Sequence, residues 1–249
     1  MKRLALIFCF AWAACAQQQL LLTPRASSTS SSILYSDHLI AYWSFDSNTV
    51  TSTTIADQTG NGNTLTDTTT FTPAAGHLYE GITINGGNTL SAPDSATLRD
   101  HYLKNITISL WAKLPALPNG GQYPSLIGKS TDNTGYAIYS DGDNSGQVKA
   151  LYGTSGSFIT SPGFVPTVNT WYHILALNDG SKLRLYTNGV EVGSGTTWSG
   201  QPYTNSAPLY LGRHYSNPVS YGNIAETVDE VRIYNTNVTA AYISGLSSQ

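Results

Sequence analysis

The stretch from Trp171 to Val192, WYHILALNDGSKLRLYTNGVEV, constrains the fold more than any other part of the chain. Asp179-Gly180 and Asn188-Gly189 supply residues that tolerate positive φ, which tight hairpin turns demand. Between them, Leu183 and Leu185 alternate with Lys182, Arg184 and Tyr186, the period-2 pattern of a strand with one buried face. Three strands joined by two tight turns form an antiparallel meander. Further short strands are expected at Leu39–Phe45, Gly81–Ile84, Ile106–Leu114, Ser125–Lys129, Tyr136–Ser140, Val148–Tyr152, Leu209–Gly212 and Thr227–Tyr234. In the third of these, Ile106, Ile108, Leu110 and Ala112 face one way, and Thr107, Ser109, Trp111 and Lys113 the other. One helical turn at Ala240–Ser244 is the exception to an otherwise all-β reading. With no internal repeat and no second core, the chain reads as one two-sheet antiparallel sandwich.

The N-terminus bears on the compartment. Lys2 and Arg3 precede an uncharged apolar run, Leu4 to Ala14, and Ala14-Cys15-Ala16 offers small residues at both positions a signal peptidase reads. The run is shorter than the roughly 20 residues a membrane span needs. Residues 1–16 are therefore expected to be a secretory signal, with a lipid-bearing Cys15 as the rival reading. Residues 17–36 include SSTSSS (Ser27 to Ser32), a stretch with no apolar periodicity, and read as a disordered Ser/Thr-rich leader. The sandwich domain is assigned to residues 37–249. Cys9 and Cys15 are the two cysteines, so the mature domain holds no disulfide. The charge balance is 12 basic against 15 acidic residues with no basic run, which argues against a nucleic-acid or anionic-membrane partner. Asn105-Ile106-Thr107 and Asn237-Val238-Thr239 are glycosylation sequons.

The order AYWSFD, ADQTGNGN, ITISLWAK, WYHILALNDGSKLRLYTNGVEV, APLYLGR and VDEVRIYN, from about Leu39 to Ile243, resembles the laminin-G-like branch of the concanavalin A-like lectin/glucanase superfamily. The resemblance implies a two-sheet jelly roll whose first and last strands lie side by side. It also implies, in many members, a bound calcium ion and carbohydrate recognition.

Calcium takes six to eight oxygen ligands. Asp46 ends the first strand, and Asp57, Asn61 and Asn63 sit in a loop where Gly60 and Gly62 let carbonyls turn inward. Plain alternation puts Asp229 on one face with Val231 and Ile233, opposite Glu230, Arg232 and Tyr234. An inward-pointing carboxylate needs a cation or several N–H donors. The family pattern brings Asp229 towards Asp46 and the glycine-rich loop, which makes these five residues the expected ligands of a structural calcium.

Sugar rings pack on exposed aromatic faces, and their hydroxyls bond to planar polar side chains. Three stretches offer both: Tyr139 to Asn144, Trp198 to Tyr203 and Arg213 to Tyr221. The candidate contacts are Tyr139, Asp141, Asp143, Asn144, Trp198, Gln201, Tyr203, Arg213, His214 and Tyr215. Trp198 is the sharpest, since it lies in a polar, Gly-flanked loop, whereas Trp43, Trp111 and Trp171 lie in strands and read as packing residues. Asp141-Gly142-Asp143-Asn144 reads as a hairpin turn, with a second calcium loop as the alternative.

No catalytic residue is assigned. Glu226 and Glu230 have the wrong spacing for acids alternating along one strand and would lie roughly 13 Å apart, outside either glycosidase geometry. The sequence has no HExxH, no GxSxG elbow and no phosphate loop. The expected function is a secreted, non-catalytic module that binds a glycan or polysaccharide. The alternatives are an extracellular structural or adhesive protein, assembling with other proteins or with itself, and a glycoside hydrolase or polysaccharide lyase.

Overall fold

The structure, a computed structural model, describes residues 35–68, 71, 73–85, 90–99, 105–131, 134–154, 157–214 and 221–249. The expected signal, the possible lipid site at Cys15, nearly all of the leader and the candidate contact Tyr215 lie outside the described residues.

In chain order the strands are β1 (Leu39–Trp43), β2 (Thr54–Ile55), β3 (Leu65–Thr66), β4 (Pro73–Ala75), β5 (Glu80–Ile84), β6 (Ser91–Ala92), β7 (Asn105–Lys113) and β8 (Ser125–Thr131). They continue with β9 (Thr134–Asp141), β10 (Gln147–Thr154), β11 (Ser157–Thr160), β12 (Trp171–Asp179), β13 (Lys182–Thr187) and β14 (Val190–Glu191). The last three are β15 (Thr196–Thr197), β16 (Leu209–Leu211) and β17 (Glu226–Tyr234), followed by a helix, α1 (Ala240–Ser247). Two antiparallel sheets result. The larger runs β14-β13-β12-β7-β17-β5-β4, with β1 also on β17 and β15 on β13. The smaller runs β11-β10-β9-β8-β16-β6-β3-β2.

Period-2 alternation explains the core. Ile106, Ile108, Leu110 and Ala112 of β7 point between the sheets, as the sequence predicts, beside Ile174 and Ala176 of β12 and Leu183 and Leu185 of β13. The smaller sheet answers with Tyr136 and Ile138 of β9 and Val148, Ala150 and Tyr152 of β10. The Asn188-Gly189 turn carries both residues at positive φ, 49° and 81°, the backbone a two-residue hairpin turn requires. The β1–β17 pairing places the first strand against the last, with Trp43 opposite Val231.

The outer face of the larger sheet is also covered. Leu175, Leu177 and Tyr234 pack under Val238 and the Ile243 and Leu246 side chains of α1. The expected single helical turn is thus a full eight-residue helix with a buried stripe.

Plain alternation fails in β17. Asp229 pairs with Trp111, and Arg232 with Ser109, so three steps on β17 match two on β7. The extra residue is a bulge at Glu230, whose φ is 53°. Val228, Val231 and Ile233 all face the core, and Asp229 does not accompany them. Asp229 instead shares the outer face with Trp111, which corrects the inward-pointing expectation.

Candidate functional site

A cleft of about 470 Å³ lies on the outer face of the smaller sheet, over β8 to β11. Its floor follows from strand pairing, since directly opposed residues point the same way. Tyr139 is opposed by Ser125 on one side and Lys149 on the other, and Leu151 is opposed by Ala137 and Thr160; all six line the cleft. The wall is built from Phe158 of β11, Tyr123, His214 and Tyr221, together with the β9–β10 hairpin. Every residue of β9 is buried, on its outer side as well as its core side, because these walls rise around it.

The hairpin tip is a short helical turn, Gly142–Asn144, that only glycine can begin here: a Cβ on Gly142 would lie 1.9 Å from the Asn119 carbonyl. That close approach locks the tip to the neighbouring loop, where the Gly142 N–H donates to the Gln122 carbonyl at 2.9 Å. The Tyr123 N–H donates to the Tyr221 carbonyl at 2.7 Å, and the two rings sit 5.8 Å apart. His214 packs on Tyr221 at 4.6 Å. Backbone bonds, rather than flexible side chains alone, therefore hold the aromatic rim.

Polar groups gather at the hairpin end. Lys149 Nζ donates to Asp141 Oδ2 at 2.7 Å, and Asn144 Nδ2 donates to the same oxygen at 2.8 Å. Burial alone would raise the Asp141 carboxyl, but these two donors outweigh it and hold it below its usual range. The Tyr123 hydroxyl donates to Asp143 Oδ2, and the Gly121 N–H donates to Oδ1 at 2.7 Å. Those bonds lower the Asp143 carboxyl and push the Tyr123 phenol up to about 12. Both acids are ionised at neutral pH.

The cleft unites Tyr139, Asp141, Asp143, Asn144 and His214 of the expected sugar contacts. The Asp141–Asn144 segment is a hairpin turn, and its acids are tied to Lys149 and Tyr123. Trp198 is the correction: it is 7% exposed, packs on Tyr152 and donates its indole N–H to Asn178 Oδ1 at 2.8 Å. The two-residue strand β15 folds back onto β13 and lays Trp198 over the end of the core. Gln201 and Tyr203 are exposed but do not line the cleft, and Arg213 lies over the Tyr210 ring at 4.4 Å. Tyr123, Lys149 and Phe158 also line the cleft and were not among the candidates, while Tyr221 closes the candidate stretch that begins at Arg213. Alternation through Tyr139 and Asp141, and through Lys149 and Leu151, carried part of that signal.

A laminin-G-like family model, described as the concanavalin A-like lectin/glucanases superfamily, matches residues 85–244. The chain belongs to this superfamily. Comparison with curated proteins returned no match. Among solved structures, domain 4 of AbnA, an extracellular arabinanase from Geobacillus stearothermophilus in complex with arabinotriose, is 23% identical with a TM-score of 0.63, covering 84% of this chain and 98% of that one. The binding domain of Paraclostridial Mosquitocidal Protein 1 is 20% identical with a TM-score of 0.68, over 85% of this chain and 52% of that one. Botulinum neurotoxin type C, whose cell entry depends on two ganglioside molecules, is 13% identical with a TM-score of 0.66, over 86% and 51%. This chain spans about half of each toxin chain. At these identities the likeness is one of fold.

Of the five residues expected to hold calcium, Asp46 acts on the Asp229 carboxyl, while Asp57, Asn61 and Asn63 are hydrogen-bonded within the glycine-rich loop and to β1. Asp57 Oδ1 accepts the Tyr42 N–H and both the N–H and hydroxyl of Thr59, while Oδ2 accepts the Asn63 N–H. Asn61 and Asn63 turn their amide nitrogens, which cannot ligate a cation, towards the Ile40 carbonyl at 3.1 and 2.8 Å. Asn63 Oδ1 accepts the Ser95 hydroxyl at 2.7 Å. The glycine-rich loop is thus a polar knot that fastens itself to β1. Asp229 bonds to a different segment: its Oδ2 accepts the Leu78 N–H at 2.8 Å, and Oδ1 has no hydrogen bond. Among the described residues no three His, Cys, Asp or Glu side chains gather as an ion site. The oxygens of Asp57 and Asn63 Oδ1 are thus engaged by protein N–H and O–H donors.

Glu226 and Glu230 are separated by more than spacing. Glu226 is fully buried, opposite core residue Ile84. Glu230 lies across the bulge, where it accepts from Tyr42 at 3.0 Å and pairs with Arg232. Neither acid lines the cleft. Of the sequon asparagines, Asn105 opens β7 half-buried and Asn237 is exposed. No helix among the described residues is long and apolar enough to cross a membrane.

Proposed function

We propose that this protein is a secreted, non-catalytic glycan-binding module whose ligand lies in the cleft over β8 to β11. One observation carries the reading: a concave site of about 470 Å³ combines the rings of Tyr123, Tyr139, Phe158 and Tyr221 with Asp141, Asp143, Asn144 and Lys149 at one end. Aromatic faces accept the C–H faces of a sugar ring, and the polar end fixes its hydroxyls. The arabinotriose complex of the AbnA domain and the ganglioside dependence of the neurotoxin support a glycan ligand on this fold. The placement of Glu226, buried opposite Ile84, and of Glu230, paired with Arg232, outside the cleft supports binding without cleavage. Secretion rests on Lys2-Arg3, the apolar run and Ala14-Cys15-Ala16.

A glycan array tests the site. Phe158 and Tyr221 are 44% and 36% exposed, so Phe158→Ala and Tyr221→Ala remove ligand-facing rings without opening the core. Each is expected to weaken binding about tenfold or more, since stacking on an aromatic ring contributes on the order of 1–2 kcal/mol. Melting temperatures should stay within a degree or two of wild type. Silence of the folded wild-type protein across a broad array would end the proposal.

A further inference from the structure

The charges that line the cleft are unevenly matched. Among its described lining residues Lys149 is the only Lys or Arg, and its ammonium is committed to Asp141. Among the described residues Asp143 has no ion-pair partner. Its two donors, the Tyr123 hydroxyl and the Gly121 N–H, are both neutral, so its full negative charge stands at the rim. Each carboxylate oxygen takes one donor from the protein and retains lone-pair capacity for another. Asp141 also lines the cleft, but its Oδ2 is taken by Lys149 and Asn144 and its Oδ1 is buried from solvent, which leaves Asp143 as the open carboxylate. Among the described lining residues, then, the single Lys or Arg is already matched, while the Asp143 carboxylate is not.

Resting on the glycan-binding reading, we propose that the cleft takes neutral sugars and turns acidic ones away, with Asp143 as the discriminating residue. Sugar hydroxyls are donors, and a planar carboxylate can receive two of them from one ring. A sialic acid or uronate would instead bring its own carboxylate against Asp143, with no free guanidinium or ammonium to receive it. Discrimination by an unfavourable pairing of this kind is a repulsive device, distinct from any added contact with the preferred ligand.

The test uses the mature protein and an array of neutral oligosaccharides printed beside their sialylated and uronate-bearing counterparts, read at low and at physiological salt. Neutral members are expected to bind at least about tenfold more tightly than their acidic counterparts at low salt, with the gap shrinking as salt rises. Asp143→Asn keeps an acceptor for the Gly121 N–H and should narrow the gap to within about threefold. Lys149→Gln removes the cation and should widen it, so the two variants move the preference in opposite directions. Acidic glycans that bind the wild type as well as neutral ones would overturn the inference, as would a gap indifferent to both salt and Asp143→Asn. A blank array from protein shown to be folded by circular dichroism would instead overturn the glycan-binding reading itself.

Discussion

Asp229 and His173 titrate in opposing directions on the outer face of the larger sheet. Burial, with Glu230 and Asp46 adding to it, raises the Asp229 carboxyl from 3.8 to about 7. The native state then holds more protons than the unfolded chain between those values, so stability falls as pH rises through that window. Burial, with Arg232 and His77 adding to it, lowers His173 from 6.5 to about 3. Here the native state holds fewer protons, and stability falls as pH drops from 6.5 towards 3. Asp229→Asn is therefore expected to stabilise the protein at pH 8 by on the order of 1–2 kcal/mol while leaving pH 4 nearly unchanged, read from denaturant melts at both pH values. His173→Gln should flatten the acid limb alone. Trp198 makes the second prediction at this scale. Trp198→Ala should cost about 3–5 kcal/mol, measured by chemical denaturation, and should leave ligand affinity of the folded fraction unchanged. Its flanking Ser and Gly suggested a solvent-facing ring. The acceptor that draws it inside, Asn178, lies 20 residues earlier, and no local pattern reveals that partner.

Elements with several alternating residues were readable from the chain alone. The meander and β7 to β10 lie within a residue or two of where their periodicity places them. Strands of two residues, such as β2, β3, β6 and β15, are too short to have a period, and only their partners define them. The β17 bulge was unreadable for a related reason: alternation counts every residue, and only pairing with β7 shows that Glu230 is unmatched. Helix α1 was underestimated because Gly245 interrupts AAYISGLS, yet Ile243 and Leu246 are both nearly fully buried. Ile243→Ala or Leu246→Ala should each cost about 2–5 kcal/mol and expose Leu175 and Leu177, seen as a lower melting temperature with increased binding of a hydrophobic dye.

The sandwich as a whole followed from strand spacing, and the meeting of β1 with β17 from the family resemblance. The cleft was harder to see. It joins a β-hairpin, the 119–123 loop and residues 214 and 221, segments that become neighbours only after the smaller sheet forms. Five of its 14 described lining residues were named from the aromatic and polar pattern of the chain, and the rest required the fold. The glycine-rich loop illustrates the reverse error, because a self-satisfied polar knot and a calcium loop use the same residues. With the knot closed by its own N–H groups, thermal melts with and without a chelator should coincide. A chelator-dependent drop that Asp229→Ala abolishes would restore an ion to that end of the sandwich.

The position of β17 also governs when the molecule can form. This strand stands near the middle of the larger sheet, bonded to β7 on one side and to β5 and β1 on the other, although it is the last strand of the sandwich in sequence order. Until Glu226 to Tyr234 emerges from the ribosome, β1, the β4–β5 pair and the β7-to-β15 group lack the strand that joins them. Such distant pairings are slow to establish. The larger sheet of this topology can close only once Glu226 to Tyr234 has been synthesised.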